Sequence, residues 1–129
     1  AIATGALRGL VPSRSAAALM TDECLIKQLT TIPGIGRWTV EMLLIYTLER
    51  MDIMPLDDFG IVQGLHYLYA PTSLLKKSDL RTLSEHSAPY RTIAAWYLWR
   101  IPQLPAYPAF KAARLELKSG VKSPGSNGI

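Results

Sequence analysis

Two short segments of this 129-residue chain carry residue types that could act together chemically. Pro33-Gly34-Ile35-Gly36 places glycines two apart, which lets a turn adopt positive φ and leaves no Cβ between the backbone and an approaching ligand. It opens onto Arg37-Trp38-Thr39 and a helical pattern, whose first turn carries unpaired N–H groups at the positive end of the helix dipole. The result is an anion site of phosphate size built from backbone. Arg37 either adds charge to it or pairs with Glu41 one turn on. Asp58 lies 22 residues after Gly36, in Pro55-Leu56-Asp57-Asp58-Phe59-Gly60 at the start of another helix. A fixed carboxylate there can stabilise positive charge developing on a reacting group. Each segment also has a plainer reading, as a glycine-containing helix–helix turn and as an N-cap.

The pattern that must position these segments is helical almost throughout, with no strand signature or internal repeat, so the expected class is all-α. Thr21 is a good N-cap, followed by Asp22 and Glu23, and Leu25, Ile26 and Leu29 form one apolar face of a helix ending near Thr31. Over 37–50, Trp38, Val40, Met42, Leu43, Leu44, Ile45, Tyr46 and Leu48 wrap most of the circumference, which predicts a buried central helix with neighbours on several sides. Ile61, Val62, Leu65, Leu68 and Tyr69 predict a core-facing stripe over 59–69, with His66 on its solvated side.

Ser78 is expected to cap a helix over 79–87, and Pro89 to open one over 90–101 in which Tyr90, Trp96 and Tyr97 fall in the core. Pro102, Pro105 and Pro108 then end regular structure, and the Gly-, Ser- and Lys-rich 118–129 reads as a disordered tail. At the other end, Ala1-Ile2-Ala3-Thr4 reads as a helix tail stopped by Gly5, before a loop at 9–12 and a short helix at 16–19. The segment 76–77 reads as a solvated loop.

Composition narrows the class. With 49% hydrophobic and 19% charged residues the chain is globular, one domain at most, burying about two-thirds of its unfolded surface. No run of about 18 apolar residues predicts a membrane span. The single cysteine, Cys24, excludes an internal disulfide framework and a four-cysteine metal or iron–sulfur site, which fits a reducing, cytoplasmic setting. A net charge of +4 suits a polyanionic partner, without excluding simple solubility. No Ser–His–Asp or zinc constellation is present.

Three stretches together carry a resemblance. Leu29-Thr30-Thr31-Ile32-Pro33-Gly34-Ile35-Gly36-Arg37-Trp38-Thr39 resembles the hairpin of the DNA-3-methyladenine glycosylase II branch of the helix–hairpin–helix DNA glycosylases. Segment 55–61 resembles that branch's catalytic segment, and Pro89 to Arg100 resembles its C-terminal aromatic helix, in the same order. The resemblance implies a helix–hairpin–helix glycosylase-like domain over 1–117, with hairpin 29–39, catalytic segment 55–61 and aromatic helix 89–101. It implies double-stranded DNA with a flipped alkylated base as partner.

It makes Asp58 the catalytic carboxylate, with Asp57 capping the next helix or orienting Asp58. Trp38, Trp99 and more weakly Met42 would line the base pocket, where an electron-rich indole favours a cationic purine. The amides of Gly34 and Gly36, with Arg37, would hold a DNA phosphate. The carbonyls of Thr30, Ile32 and Gly34 would hold a sodium or potassium ion; no other cofactor is implied. Arg91 is read as a structural ion-pair residue, and His86 stands where the branch often carries Trp.

Trp38 occupies the position that carries a nucleophilic lysine in the glycosylase/lyases, so a monofunctional enzyme using water is expected. The branch's enzymes carry another helical half before the hairpin, and about 28 residues precede Leu29 here. A continuation of the chain, a partner chain or a homodimer would then cover the core. Two other readings stand beside catalysis: a non-enzymatic or inactive helix–hairpin–helix DNA-binding module, and a helical interaction domain without DNA binding.

Overall fold

Gly5 does not stop the first helix; it lies inside it, where a Cβ would sit 2.9 Å from the Ile32 side chain. That close approach sets helix α1 (Ile2–Leu7) against the hairpin, and glycine is what permits it. The computed structural model describes residues 2–70 and 72–120, all helix and loop. After α1 come α2 (Arg14–Ala18), α3 (Asp22–Leu29), α4 (Arg37–Tyr46), α5 (Phe59–Tyr69), α6 (Lys77–Glu85), α7 (Arg91–Leu98), a 3-10 turn (Ile101–Gln103) and α8 (Tyr107–Ser119).

Two apolar cores result. In the first, Leu25, Ile26 and Leu29 of α3 meet Val40, Leu44 and Ile45 of α4, with Ile32 and Ile53 beside them. In the second, Ile61 and Leu65 of α5 pack with Leu80 of α6, Ala95 and Leu98 of α7, and Met54 and Ile101. Each fully buried Leu or Ile is worth about 1.5–3 kcal/mol of transfer free energy, so either core can hold its helices together. A Cβ on Gly64 would stand 3.0 Å from Leu98 Cδ2, which shows how closely α5 approaches α7. Trp99 packs against both cores.

Polar stitches hold the crossing segment between the cores. Arg50 donates to Asp22 Oδ1 at 3.1 Å and to the carbonyls of Ala17 and Met20. Buried Thr92 donates to the Arg50 carbonyl at 2.7 Å and accepts from the Ile53 amide at 2.9 Å. Arg91 pairs with Asp52 at 3.2 Å, the structural role expected of it.

Several expectations need correction. Helix α4 ends at Tyr46 rather than near Arg50, and it is not buried all round: Trp38, Leu43 and Tyr46 are exposed. Among the described residues, Leu43 and much of Tyr46 are left open. Thr21 caps α3 as expected, but α6 starts at Lys77, and Asp79, not Ser78, closes its N-terminus by accepting from the Lys76 amide at 2.8 Å. Lys77 is thus helical, not part of a solvated loop.

The aromatic helix covers Arg91–Leu98, with Pro89 before it and the 3-10 turn after it. Tyr90, Trp96 and Tyr97 are exposed rather than in the core, because α7 turns Thr92, Ala95 and Leu98 inward. Pro108 does not end structure; it occupies the first turn of α8, where a missing N–H costs nothing.

Helix α8 explains a further error. Its Phe110 meets Tyr67 edge-on at 5.2 Å, and its buried Arg114 donates to the Ser73 carbonyl. The face of α5 that carries His66 is therefore covered, and His66 is 5% exposed rather than solvated. Burial, with the Arg114 charge nearby, holds the His66 pKa below its ordinary value. Neutral His66 then bonds the Val62 carbonyl through Nδ1 and accepts from the Leu75 amide through Nε2. The helix runs on to Ser119 and ends at Gly120 with φ +71°, so the expected tail starts too early; 121–129 lie outside the described residues.

Candidate active site

The hairpin is closed by the Ile32 amide donating to the Leu29 carbonyl and the Ile35 amide donating to the Ile32 carbonyl. Gly34 has φ +87°, a conformation that disfavours any side chain. Gly36 is different: its φ of −96° suits any residue, and it serves as N-cap of α4 with no side chain capping the helix. A Cβ at either glycine would meet nothing within 4 Å, and no side chain caps the amides at this helix start. Among the described residues, nothing donates to the carbonyls of Thr30 and Gly34, while that of Ile32 accepts from Ile35.

Arg37 does not reach toward the hairpin opening. Its guanidinium holds Glu23 of α3 at 2.7 and 3.3 Å and lies 3.8 Å from Glu41. The expected choice between phosphate and Glu41 is thus settled mostly by a third residue, Glu23. Glu41 is 3% exposed, and no protein donor reaches its Oε1. Burial pushes its pKa up to about 7, against the partial relief that Arg37 gives.

The second segment turns through the Asp58 amide donating to the Pro55 carbonyl. Asp58 is the N-cap of α5, its Oδ1 accepting from the Ile61 amide at 3.1 Å, so the plain capping reading holds. Capping does not exhaust the carboxylate. Trp99 Nε1 donates to Oδ1 at 2.9 Å and Trp38 Nε1 donates to Oδ2 at 2.8 Å. The two tryptophans expected as pocket walls therefore meet at Asp58 through their N–H groups, one from α4 and one just after α7.

Burial alone would raise the Asp58 pKa. The bonds from Trp99 and Trp38, with the amides of Ile61 and Gly60, outweigh it and hold the carboxyl below its usual value. Asp57 neither caps nor touches its neighbour's partners; it pairs with Lys77 of α6 at 3.0 Å. A polar cavity of about 420 Å³ opens on that side, lined by Asp57, Glu41, Lys77 and Arg91 and not by Asp58.

Met42 is half-buried against the first core. Two residues that sequence reasoning passed over border Trp99. Tyr46, 65% exposed, stacks on Trp99 with ring centroids 6.4 Å apart and planes 20° apart. It follows Trp38 and Met42 at four-residue steps on one face of α4, a spacing visible in the sequence. Gly60 is the other: a Cβ there would lie 3.1 Å from Trp99 Cδ1 and 3.2 Å from Asp58 Oδ1.

Comparison with known proteins bears on what this arrangement is. No protein-family model matches the chain. It is 47% identical over 106 residues to DNA-3-methyladenine glycosylase 1 of Schizosaccharomyces pombe, covering 82% of this chain and 46% of that protein. It is 42% identical over 103 residues to an alkylbase DNA glycosidase-like protein of the same yeast, covering 80% of this chain and 48% of the relative. Among solved structures it is similar to the 3-methyladenine DNA glycosylase of S. pombe in complex with abasic DNA, with a TM-score of 0.76 at 47% identity, over 82% of this chain and 52% of that one. The fold is accordingly that of a helical helix–hairpin–helix glycosylase domain. The homologues of this chain are DNA-3-methyladenine glycosylases, and it spans about half the length of the curated relatives it matches.

Proposed function

We propose that this chain is the hairpin and carboxylate portion of a monofunctional DNA glycosylase of the type II branch, which removes cationic alkylated purines such as 3-methyladenine. The observation that carries this reading is the Asp58 carboxylate held by both Trp38 and Trp99, beside a helix start left uncapped at Gly36. An alkylated purine already bears positive charge, so its glycosidic bond breaks with the electron pair leaving on the base. What needs stabilising is the oxocarbenium-like sugar, and a fixed negative charge does that.

The lowered pKa assigns Asp58 its part. It stays ionised at neutral pH and is a weak proton acceptor, so it acts chiefly as an electrostatic stabiliser while water adds to the sugar carbon. Trp38, 46% exposed, would offer indole surface to the cationic base, with Trp99 and Met42 beside it. The absence of lysine at position 38 supports hydrolysis over lyase chemistry. The amides of Gly34 and Gly36 would receive a phosphate of double-stranded DNA bearing the flipped base; Arg37, tied to Glu23, contributes only its field.

The carbonyls of Thr30, Ile32 and Gly34 would hold a sodium or potassium ion, whose charge would favour the same phosphate; the free lone pairs of Thr30 and Gly34 fit that use. No helix among the described residues is long and apolar enough to cross a membrane, and the proposed setting is the DNA of the cytoplasm. Remaining apolar cover for α4 would come from the rest of a longer polypeptide, a partner chain or a second copy.

The test is release of 3-methyladenine and 7-methylguanine from alkylated duplex DNA by the chain and by Asp58→Asn. Release that depends on Asp58 is the expected result; release unchanged in Asp58→Asn overturns the mechanism. No release with salt-sensitive DNA binding intact marks a non-enzymatic module, and no DNA binding at low salt marks a helical interaction domain.

A further inference from the structure

The carboxylate depends on an indole whose own placement is set by Gly60, whose amide also bonds Asp58, and by Tyr46. Trp99 follows α7 and reaches Asp58 across the start of α5. Two residues bound the space its ring can occupy. One is Gly60: any Cβ would press on Trp99 Cδ1 at 3.1 Å and on Asp58 Oδ1 at 3.2 Å, side chains that share a hydrogen bond, with Trp99 Nε1 at an ordinary 3.6 Å. The second is Tyr46, whose exposed ring lies nearly parallel to the indole, 6.4 Å away centre to centre. Gly60 does not have positive φ, so its backbone conformation does not call for glycine. Gly36 lies in open space, whereas Gly60 is confined by these two side chains.

We propose that Gly60 and Tyr46 are positioning residues that seat the Trp99 indole so that its N–H, rather than a ring carbon, meets Asp58 Oδ1. The inference rests on the glycosylase reading for its kinetic consequence, but not for its geometric one. A methyl group at position 60 forces the indole or the carboxylate to move by a few tenths of an ångström. A hydrogen bond at 2.9 Å has little tolerance for loss of alignment, and a displaced N–H no longer offsets the burial of the carboxylate. Tyr46 acts more weakly, because it limits the ring by one stacked contact in the open.

The consequences separate a positioning role from a structural one. Alanine is a better helix former than glycine, which offsets part of the cost of crowding, so Gly60→Ala should remain folded and melt cooperatively. Its Asp58 carboxyl, followed by carbon-detected NMR titration in the full chain, should titrate at higher pH, in the same direction as in Trp99→Phe. In excision of 3-methyladenine, kcat should fall about tenfold, the loss expected for one hydrogen bond to a charged group, with KM for DNA little changed. Combining Gly60→Ala with Trp99→Phe should cost no more than Trp99→Phe alone, because the bond that Gly60 protects is already gone. Tyr46→Phe should keep the parent titration, and Tyr46→Ala should shift it upward by less than Gly60→Ala.

An Asp58 titration unchanged in Gly60→Ala overturns the proposal, and so do fully additive effects in the double variant. If the parent shows no excision, the glycosylase reading fails while the titrations still decide the positioning of Trp99.

Discussion

Helices α4 and α5 both begin after a short turn, and the two beginnings are finished in opposite ways. Helix α5 supplies its own anion: Asp58 caps the Ile61 amide and then takes two indole N–H groups. Helix α4 supplies none: Gly36 contributes no side chain, and the nearest cation, Arg37, is turned away to Glu23 and Glu41. One terminus carries its own carboxylate, and the other has no side-chain cap. Under the proposed function the first acts on a substrate and the second receives an external anion. Both N-caps have extended backbone, and the difference lies in a single side chain.

Giving α4 a cap like that of α5 breaks the comparison most directly. Gly36→Asp puts a carboxylate where the proposed phosphate binds, and affinity for duplex DNA should fall roughly a hundredfold, as for losing two hydrogen bonds to a charged group. Stability should rise by a few tenths of a kcal/mol, since aspartate caps better than glycine. Binding titrations and thermal melts on the same samples check both signs. Unchanged affinity would mean that the open terminus receives nothing.

The next effect concerns Glu41, the second carboxylate beside Arg37. Glu41 has a folded pKa of about 7, above its unfolded value, so the folded state binds its proton more tightly. Stability from this group is present at low pH and is lost as pH rises from about 4.5 through 7, by about 3 kcal/mol. Glu41→Gln should flatten that slope and leave the protein more stable at pH 8, read from melts between pH 5 and 8. A slope surviving the substitution would place the titration elsewhere.

The smallest expected change is at Gly34. A side chain at φ +87° costs about 1 kcal/mol, so Gly34→Ala should melt a few degrees lower. Its DNA affinity should fall less than that of Gly36→Asp, because the substitution adds strain but no charge.

Much of this was legible beforehand. Leu25, Ile26 and Leu29 announced α3, Thr21 its cap, and the spacing of Ile61 and Leu65 the inner face of α5. These are local signals, where one residue's preference and the helical period agree. The errors share one cause. His66 reads as solvated because the elements beside it, the segment at Leu75 and the proline-headed α8, are distant in sequence. Trp96 and Tyr97 were assigned to a core that α7 fills with Thr92, Ala95 and Leu98 instead. An aromatic residue satisfies a helical stripe equally well on either face, so period alone does not say which side finds a neighbour.

Residue types and their order set the chemistry available: glycines at 34 and 36 before a helix start, a carboxylate at 58 heading the next helix, and no lysine at 38. Local geometry and residue type suffice for that, because each property belongs to a few consecutive residues. The use of Trp38 and Trp99 depends instead on the assembled fold. Their positions are 20 and 41 residues from Asp58, and packing of the two cores brings both indole N–H groups to its oxygens. The sign of the Asp58 pKa shift follows from that meeting, since burial pushes it up and donated hydrogen bonds pull it down, and only the assembled fold sets which prevails.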